Sequence, residues 1–263
     1  MIVAAVVCPP APLLIPGLAD RLASASGELR AACDRAVRTL QGAERVVIIG
    51  AAAGAAVGVL LPGDLVTAGG LTRSDRPVVP PVRLASGDDD PAASHVGGGA
   101  AVTDTAGDEI ASAGPGRREP PRVTVSTAVG ASLLAAAGIT ASASALQIAT
   151  GAGTALMDGG RTGLLVMADG AACHGEHAPG APDPRSESFD EDLVTALRSG
   201  DPQALAATCD RLAPLAPALR ADSLPALATF AALITDSGPA RAEMLHYSAP
   251  FGVGYPVATW QWD

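Results

Sequence analysis

Residues 2–7 read Ile2-Val3-Ala4-Ala5-Val6-Val7, an unbroken run of apolar and β-forming residues closed by Cys8, Pro9 and Pro10. A short apolar run stopped by prolines reads as a buried strand running into a proline-studded loop. Next, Leu18, Leu22, Leu29, Cys33, Val37 and Leu40 recur at helical spacing, with Arg and Asp between them, until Gln41-Gly42 stops the pattern. Arg45 to Ile49 is a second strand, and Gly50 opens a loop. Strand, helix, strand is the start of a right-handed parallel unit.

Working outward, the alternation continues. Order returns at Arg122 to Ser126, followed by a short helix from Ala131 to Ala137. Ala145 to Ala149 and Gly163 to Met167 are strands, the second running into Ala168-Asp169-Gly170. Phe189 to Arg198 is a helix ended by Ser199-Gly200, and Asp201 with Pro202 supplies the cap and first turn of the next. Ser223 to Ile234 is the last helix, and Glu243 to Tyr247 with Val253 to Trp260 is a closing strand pair. The pattern predicts one α/β domain over 1–263, a three-layer α/β/α arrangement on a mixed, largely parallel sheet. Between residues 68 and 121 Gly, Asp, Ser and Pro dominate, too little apolar side chain to offset ordering entropy, and the segment reads as a flexible insert.

Composition narrows the function classes. The 263 residues include 56 Ala but only seven Phe, Trp and Tyr, so packing must be close to the backbone. Seventeen Arg, no Lys and 27 acidic residues leave a formal charge of −10, which repels phosphate backbones and argues against nucleic acid. Val46 to Leu61 is uncharged, with Gly50, Gly54 and Gly58 at the spacing of packed membrane helices, but its sixteen Gly- and Ala-rich residues fall short of a span. The segment before Pro9 lacks a basic region and is too short for a signal peptide. Four scattered cysteines without a CxxC pair read as free thiols of a cytoplasmic protein.

Functional groups of α/β sheets gather in the loops beyond the strand carboxyl ends. Three such loops stand out, Cys8 to Pro16, Gly50 to Gly58 and Asp169 to Pro184, and the third holds Asp169, Cys173, His174, Glu176 and His177. His174 is the candidate general base, imidazole being the side chain whose ordinary titration range spans neutral pH. His174 and His177 with a carboxylate could supply part of a metal site. Glu243 and His246 repeat a Glu-x-x-His spacing, but on a strand an i, i+3 pair points to opposite faces. No GxSxG elbow or P-loop is present.

Several strings together resemble the class III extradiol ring-cleavage dioxygenases, the superfamily containing the protocatechuate 4,5-dioxygenase B subunit and the Memo proteins, and within it an alanine-rich actinobacterial branch. They are Val6 to Pro16, Leu164 to His174, Ala178-Pro179-Gly180, Phe189-Asp190, Gly200-Asp201-Pro202, and Ala249 to Trp260. The resemblance implies Fe(II) held by two His and one Glu, with a further His as base on a substrate hydroxyl. His174 matches the base. Pro10 stands where a metal-binding His is expected, Gly50 to Gly58 contains no His, and Asp222 is the nearest candidate for the carboxylate. Proline offers no donor atom, so no cofactor is expected and the iron site reads as lost. The first functional reading is a protein binding a small molecule or a protein partner on this scaffold, and the resemblance implies a homodimer. The alternative is an enzyme, either an oxidoreductase of the ring-cleavage dioxygenase type with another metal arrangement around His174, Glu176 and His177, or a metal-free acid/base activity of His174 on a small polar or aromatic molecule.

Overall fold

The structure, a computed structural model, describes residues 1–15, 23–51, 58–60, 124–148 and 160–263. The predicted insert at 68–121 lies outside the described residues, as do 18–22 of the predicted first helix and 52–57 of the second loop.

The strands are β1 (Ile2–Cys8), β2 (Arg45–Ala51), β3 (Gly58–Leu60), β4 (Ser142–Ile148), β5 (Thr162–Met167), β6 (Arg241–Ser248) and β7 (Tyr255–Gln261). The helices are α1 (Ala23–Arg38), α2 (Val125–Ala136), α3 (Arg185–Ser199), α4 (Pro202–Leu212), α5 (Ala216–Leu219) and α6 (Leu224–Leu233). Among the described residues all seven strands join one mixed sheet in the order β3-β4-β2-β5-β1-β7-β6. β4, β2, β5 and β1 pair in parallel, while β3, β7 and β6 are added antiparallel. The chain is therefore α/β. β1 and β2 are not neighbours, because β5 inserts between them: Leu165 stands opposite Val6 on one side and Ile48 on the other.

Two expectations need correction. β2 runs through Gly50 to Ala51, its ladder with β4 being continuous to Ala51↔Ile148. Gly50 is a packing position, since a β-carbon there would stand 2.8 Å from Ser126 Cβ. The helix expected at Ala131 starts at Val125, capped by Thr124, whose hydroxyl accepts from the Thr127 N–H at 3.3 Å. Its first turn buries Ser126 and Thr127, polar residues that conceal it from an apolar-spacing reading.

Strand side chains alternate between two apolar clusters. Ala4, Val6, Ile48, Leu165, Met167 and Val257 pack with residues of α1 and α2. Ala5, Val7, Val47, Leu164, Val166, Ala258 and Trp260 pack with α3, α4 and α6. Trp260 is the largest fully buried side chain. Its indole N–H donates to the Leu197 carbonyl of α3 at 2.8 Å, and its ring meets Phe230 of α6 edge-on at 5.3 Å, a contact of about 1 kcal/mol beyond burial. This ties α3 to the sheet and fixes the helix that carries Asp190.

Helix ends follow the sequence. Gly200, at φ 68, closes α3 in the left-handed conformation that favours glycine, and the Asp201 carboxylate accepts from the N–H groups of Gln203 and Ala204 at 2.9 and 3.2 Å to start α4. The four cysteines are free and buried. Among the described residues no helix is long and apolar enough to cross a membrane.

Candidate functional site

β5 is parallel to β1 and β2, so the loop after it opens beside their carboxyl ends. Backbone bonds hold this loop down. Gly170 N–H donates to Gly254 O at 2.8 Å, Gly254 N–H to Ala171 O at 2.9 Å, and His174 N–H to Gly252 O at 3.1 Å. On the other side Ala172 N–H reaches Leu219 O at 2.8 Å, and the Arg220 guanidinium reaches Pro179 O at 2.6 Å. His174 is thus presented from a tethered loop.

His174 meets Asp190. Its Nε2 lies 2.8 Å from Asp190 Oδ2, and the side chains are 14% and 1% exposed respectively. Asp190 also accepts from the Ala171 N–H through Oδ1 at 2.8 Å and from the Tyr247 hydroxyl through Oδ2 at 2.7 Å. Three donors converging on one carboxyl suit an ionised acceptor, which assigns the proton of His174 to Nε2 and leaves Nδ1 as the acceptor. Burial pushes the Asp190 carboxyl up, and the bonds from Ala171, Tyr247 and His174 pull it back. The Tyr247 phenol is pushed up by burial and by the Asp190 charge, so it stays a donor.

Asp190 fits because its surroundings lack side chains. A β-carbon at Gly170 would fall 2.2 Å from Asp190 Oδ1, and one at Gly254 1.8 Å from Oδ2. Gly252, at φ 73, brings the following loop against Ala178.

Tyr247 reaches Asp190 through an irregularity in β6. Met244 pairs with Ala258 and His246 with Val257, so Leu245 is an extra residue. Such a bulge reverses which face later side chains take. Ala242 and Met244 face the α3 side with Trp260 and Ala258, and beyond the bulge Tyr247, opposite Pro256, takes that side too. The expectation that Glu243 and His246 point apart is corrected by the same bulge. Their partners Thr259 and Val257 are two residues apart, so both lie on one face. There Glu243 pairs with Arg241 at 2.9 Å and His246 Nε2 with Ser248 Oγ at 2.7 Å.

Asp169 follows β5 by two residues. Its N–H donates to Ser223 Oγ at 2.8 Å, and the Ser223 hydroxyl faces its Oδ1 at 2.5 Å. Burial raises this carboxyl to about 6 against the pull of Ser223, with Asp222 and Asp190 adding like-charge repulsion. Tyr255, at the start of β7, is raised to about 12 by burial and then by the Asp169 charge.

The remaining sequence candidates divide. Cys173 is buried with its Sγ 3.8 Å from Ala218 O, a packing position, and Pro10 is half-buried beyond the end of β1. Glu176, His177 and Asp222 are exposed. The donor set implied by the extradiol resemblance does not fit: Pro10 has no donor atom, His177 points to solvent, His246 is bonded to Ser248, and His95 lies outside the described residues. Among the described residues no three His, Cys, Asp or Glu gather as a metal site.

Sequence reasoning found His174 and Asp169 but gave no role to Asp190, Tyr247 or Ser223. Asp190 carried a signal: it interrupts the inward stripe Ser186, Phe189, Leu193, Leu197 of α3, where an unpaired charge would be costly. Tyr247 carried none, since the bulge cannot be read from its residues. No family model matches the chain, and no curated protein matches it.

Proposed function

We propose that this chain binds a small hydroxylated molecule at the carboxyl edge of its sheet and exchanges a proton with it through His174. The scaffold would be the three-layer α/β/α domain of the extradiol dioxygenase type, working in the cytoplasm, with its iron ligands lost. The observation behind this reading is the buried Asp190 carboxylate 2.8 Å from His174 Nε2. A carboxylate in that position fixes the imidazole tautomer and stabilises the imidazolium formed when the other nitrogen takes a proton. In this step the ligand O–H bond breaks, its proton goes to His174 Nδ1, and the electron pair stays on the ligand oxygen. Nε2–H remains on Asp190. The phenolic nature of the ligand comes from the resemblance alone.

The test uses 4-nitrocatechol, whose absorption shifts on losing a proton. Binding should move its deprotonation to lower pH by about one unit, a tenfold stabilisation of the anion. His174→Gln, which keeps the size of the side chain, should abolish that shift. An unchanged shift in His174→Gln, or no spectral response of the parent protein at saturation, would refute the proton exchange.

A further inference from the structure

Deepening the His174 reading, on whose site it rests, we infer that Arg220 is a positioning residue: its guanidinium latches the returning limb of the His174 loop, and this latch keeps the imidazole on Asp190. The first observation is backbone strain. Arg220 follows α5 with φ 53 and ψ 37, the left-handed conformation, and is the only non-glycine residue with positive φ among the described residues. Glycine takes this conformation freely, whereas a residue with a β-carbon takes it against steric resistance. Such strain persists only where contacts hold it, and here they are the contacts of the guanidinium and its stem.

Two limbs of one loop meet at this turn. On the outgoing limb, two residues before His174, Ala172 N–H donates to Leu219 O at 2.8 Å. On the returning limb, Arg220 Nη1 donates to Pro179 O at 2.6 Å, and its Cδ lies 2.9 Å from where a β-carbon on Gly180 would stand. The limbs are joined to each other by Gly180 N–H to Ala172 O at 2.9 Å and Asp183 N–H to Cys173 O at 3.0 Å. Between Gly175 and Pro182 the Arg220 bond is, among the described residues, the one hydrogen bond that comes from outside the loop, beside the packing of Gly252 against Ala178. Gly175, directly after His174, has φ 80 and open space around it, so it is a ready pivot. With the guanidinium gone, the excursion can swing about that pivot and draw the imidazole from Asp190 in more of the population. Asp190 itself stays in place, held by Ala171 and Tyr247.

The Nε2–H of His174, sheltered by Asp190, gives an imidazole N–H signal in NMR whose exchange with water reports how often the pair opens; it is the signal lost in His174→Gln. Arg220→Met keeps the apolar stem and removes the donors, and should speed this exchange about tenfold at the same pH. Arg220→Gly removes strain and grip together, so its exchange should be as fast while its urea midpoint is no lower than that of Arg220→Met. Arg220 places one N–H on one carbonyl, a contact an ammonium can also make, so Arg220→Lys should stay within about threefold of the parent. A merely structural role predicts a lower urea midpoint in Arg220→Met with unchanged Nε2–H exchange, and that result overturns the inference. Exchange in Arg220→Lys as fast as in Arg220→Met overturns it too. If Arg220→Met does not fold, Arg220→Gly decides: parent-like exchange there overturns the latch. Failure of the proton-exchange reading looks different, because it is read from 4-nitrocatechol. With no spectral shift in the parent, faster exchange in Arg220→Met still upholds the latch; a normal shift with unchanged exchange in the Arg220 variants overturns the latch alone.

Discussion

Asp190 Oδ2 occupies the place where a β-carbon on Gly254 would stand, 1.8 Å away. The buried carboxylate and the glycine therefore form one steric unit. Gly254→Ala cannot be absorbed by a flexible side chain, because Asp190 is held at three points and its side chain is 1% exposed. The variant should lose about 1–3 kcal/mol in urea unfolding, the usual cost of overpacking, and release His174 from Asp190. Unchanged stability with an unchanged imidazole NMR signal would refute this packing.

The raised Asp169 carboxyl has a defined consequence for pH. The folded protein keeps this proton up to about pH 6, whereas an unfolded chain gives it up near the ordinary carboxylate value of 3.8. Between those values the native state binds more protons, so stability falls as pH rises through this window and is level above it. Asp190, also raised, acts with the same sign. Asp169→Asn should remove part of the slope, on the order of 1–2 kcal/mol. The check is the difference in urea midpoint between about pH 4.5 and about pH 7; the same difference in both proteins would rule the effect out.

Tyr247 and Leu245 offer a graded test of the β6 bulge. Tyr247→Phe removes one hydrogen bond at a position 38% exposed and should cost about 1 kcal/mol. Deleting Leu245 leaves a regular ladder in which His246, Tyr247 and Ser248 keep their partners Val257, Pro256 and Tyr255 and so their faces, and Tyr247→Phe made in that deletion variant should still cost about 1 kcal/mol. Loss of the Tyr247→Phe effect in the deletion variant would mean that pairing with Pro256 does not set the face of Tyr247.

Thiol labelling examines the cysteines. Cys8 is raised by its buried neighbour Cys33 and by burial, and Cys209 is raised to about 12 mainly by burial. Few thiolates at inaccessible sites mean slow reaction. No cysteine should react with Ellman's reagent within minutes in the native protein, and all four should react in guanidinium. A fast native thiol, or fewer than four on unfolding, would contradict the free and buried assignment.

Much of the sheet was legible because buried strands such as Ile2–Cys8 and Thr162–Met167 are continuous apolar runs. Helix punctuation at Gly200, Asp201 and Pro202 was equally plain. Other features depend on long-range geometry. β3 is three residues long, too short to show periodicity, and α2 hides behind an inward Ser126 and Thr127. At the site, His174 was visible as a residue type in a polar loop, but its partner Asp190 lies sixteen residues onward in a helix, and its further partner Tyr247 fifty-seven beyond that. Local reading names the imidazole; only the packed sheet supplies the carboxylate that gives it a direction.

The insertion of β5 between β1 and β2 also bears on how the chain reaches this state. During synthesis both flanking strands leave the ribosome with a vacant lane between them, and Leu165, which borders Val6 and Ile48 at once, arrives more than a hundred residues later than either. Until then two apolar strand edges stay open to wrong partners, and closing the lane involves contacts of high sequence separation. The protein should therefore fold slowly for its size and lean on chaperones at the stage when its first half is already outside the exit tunnel.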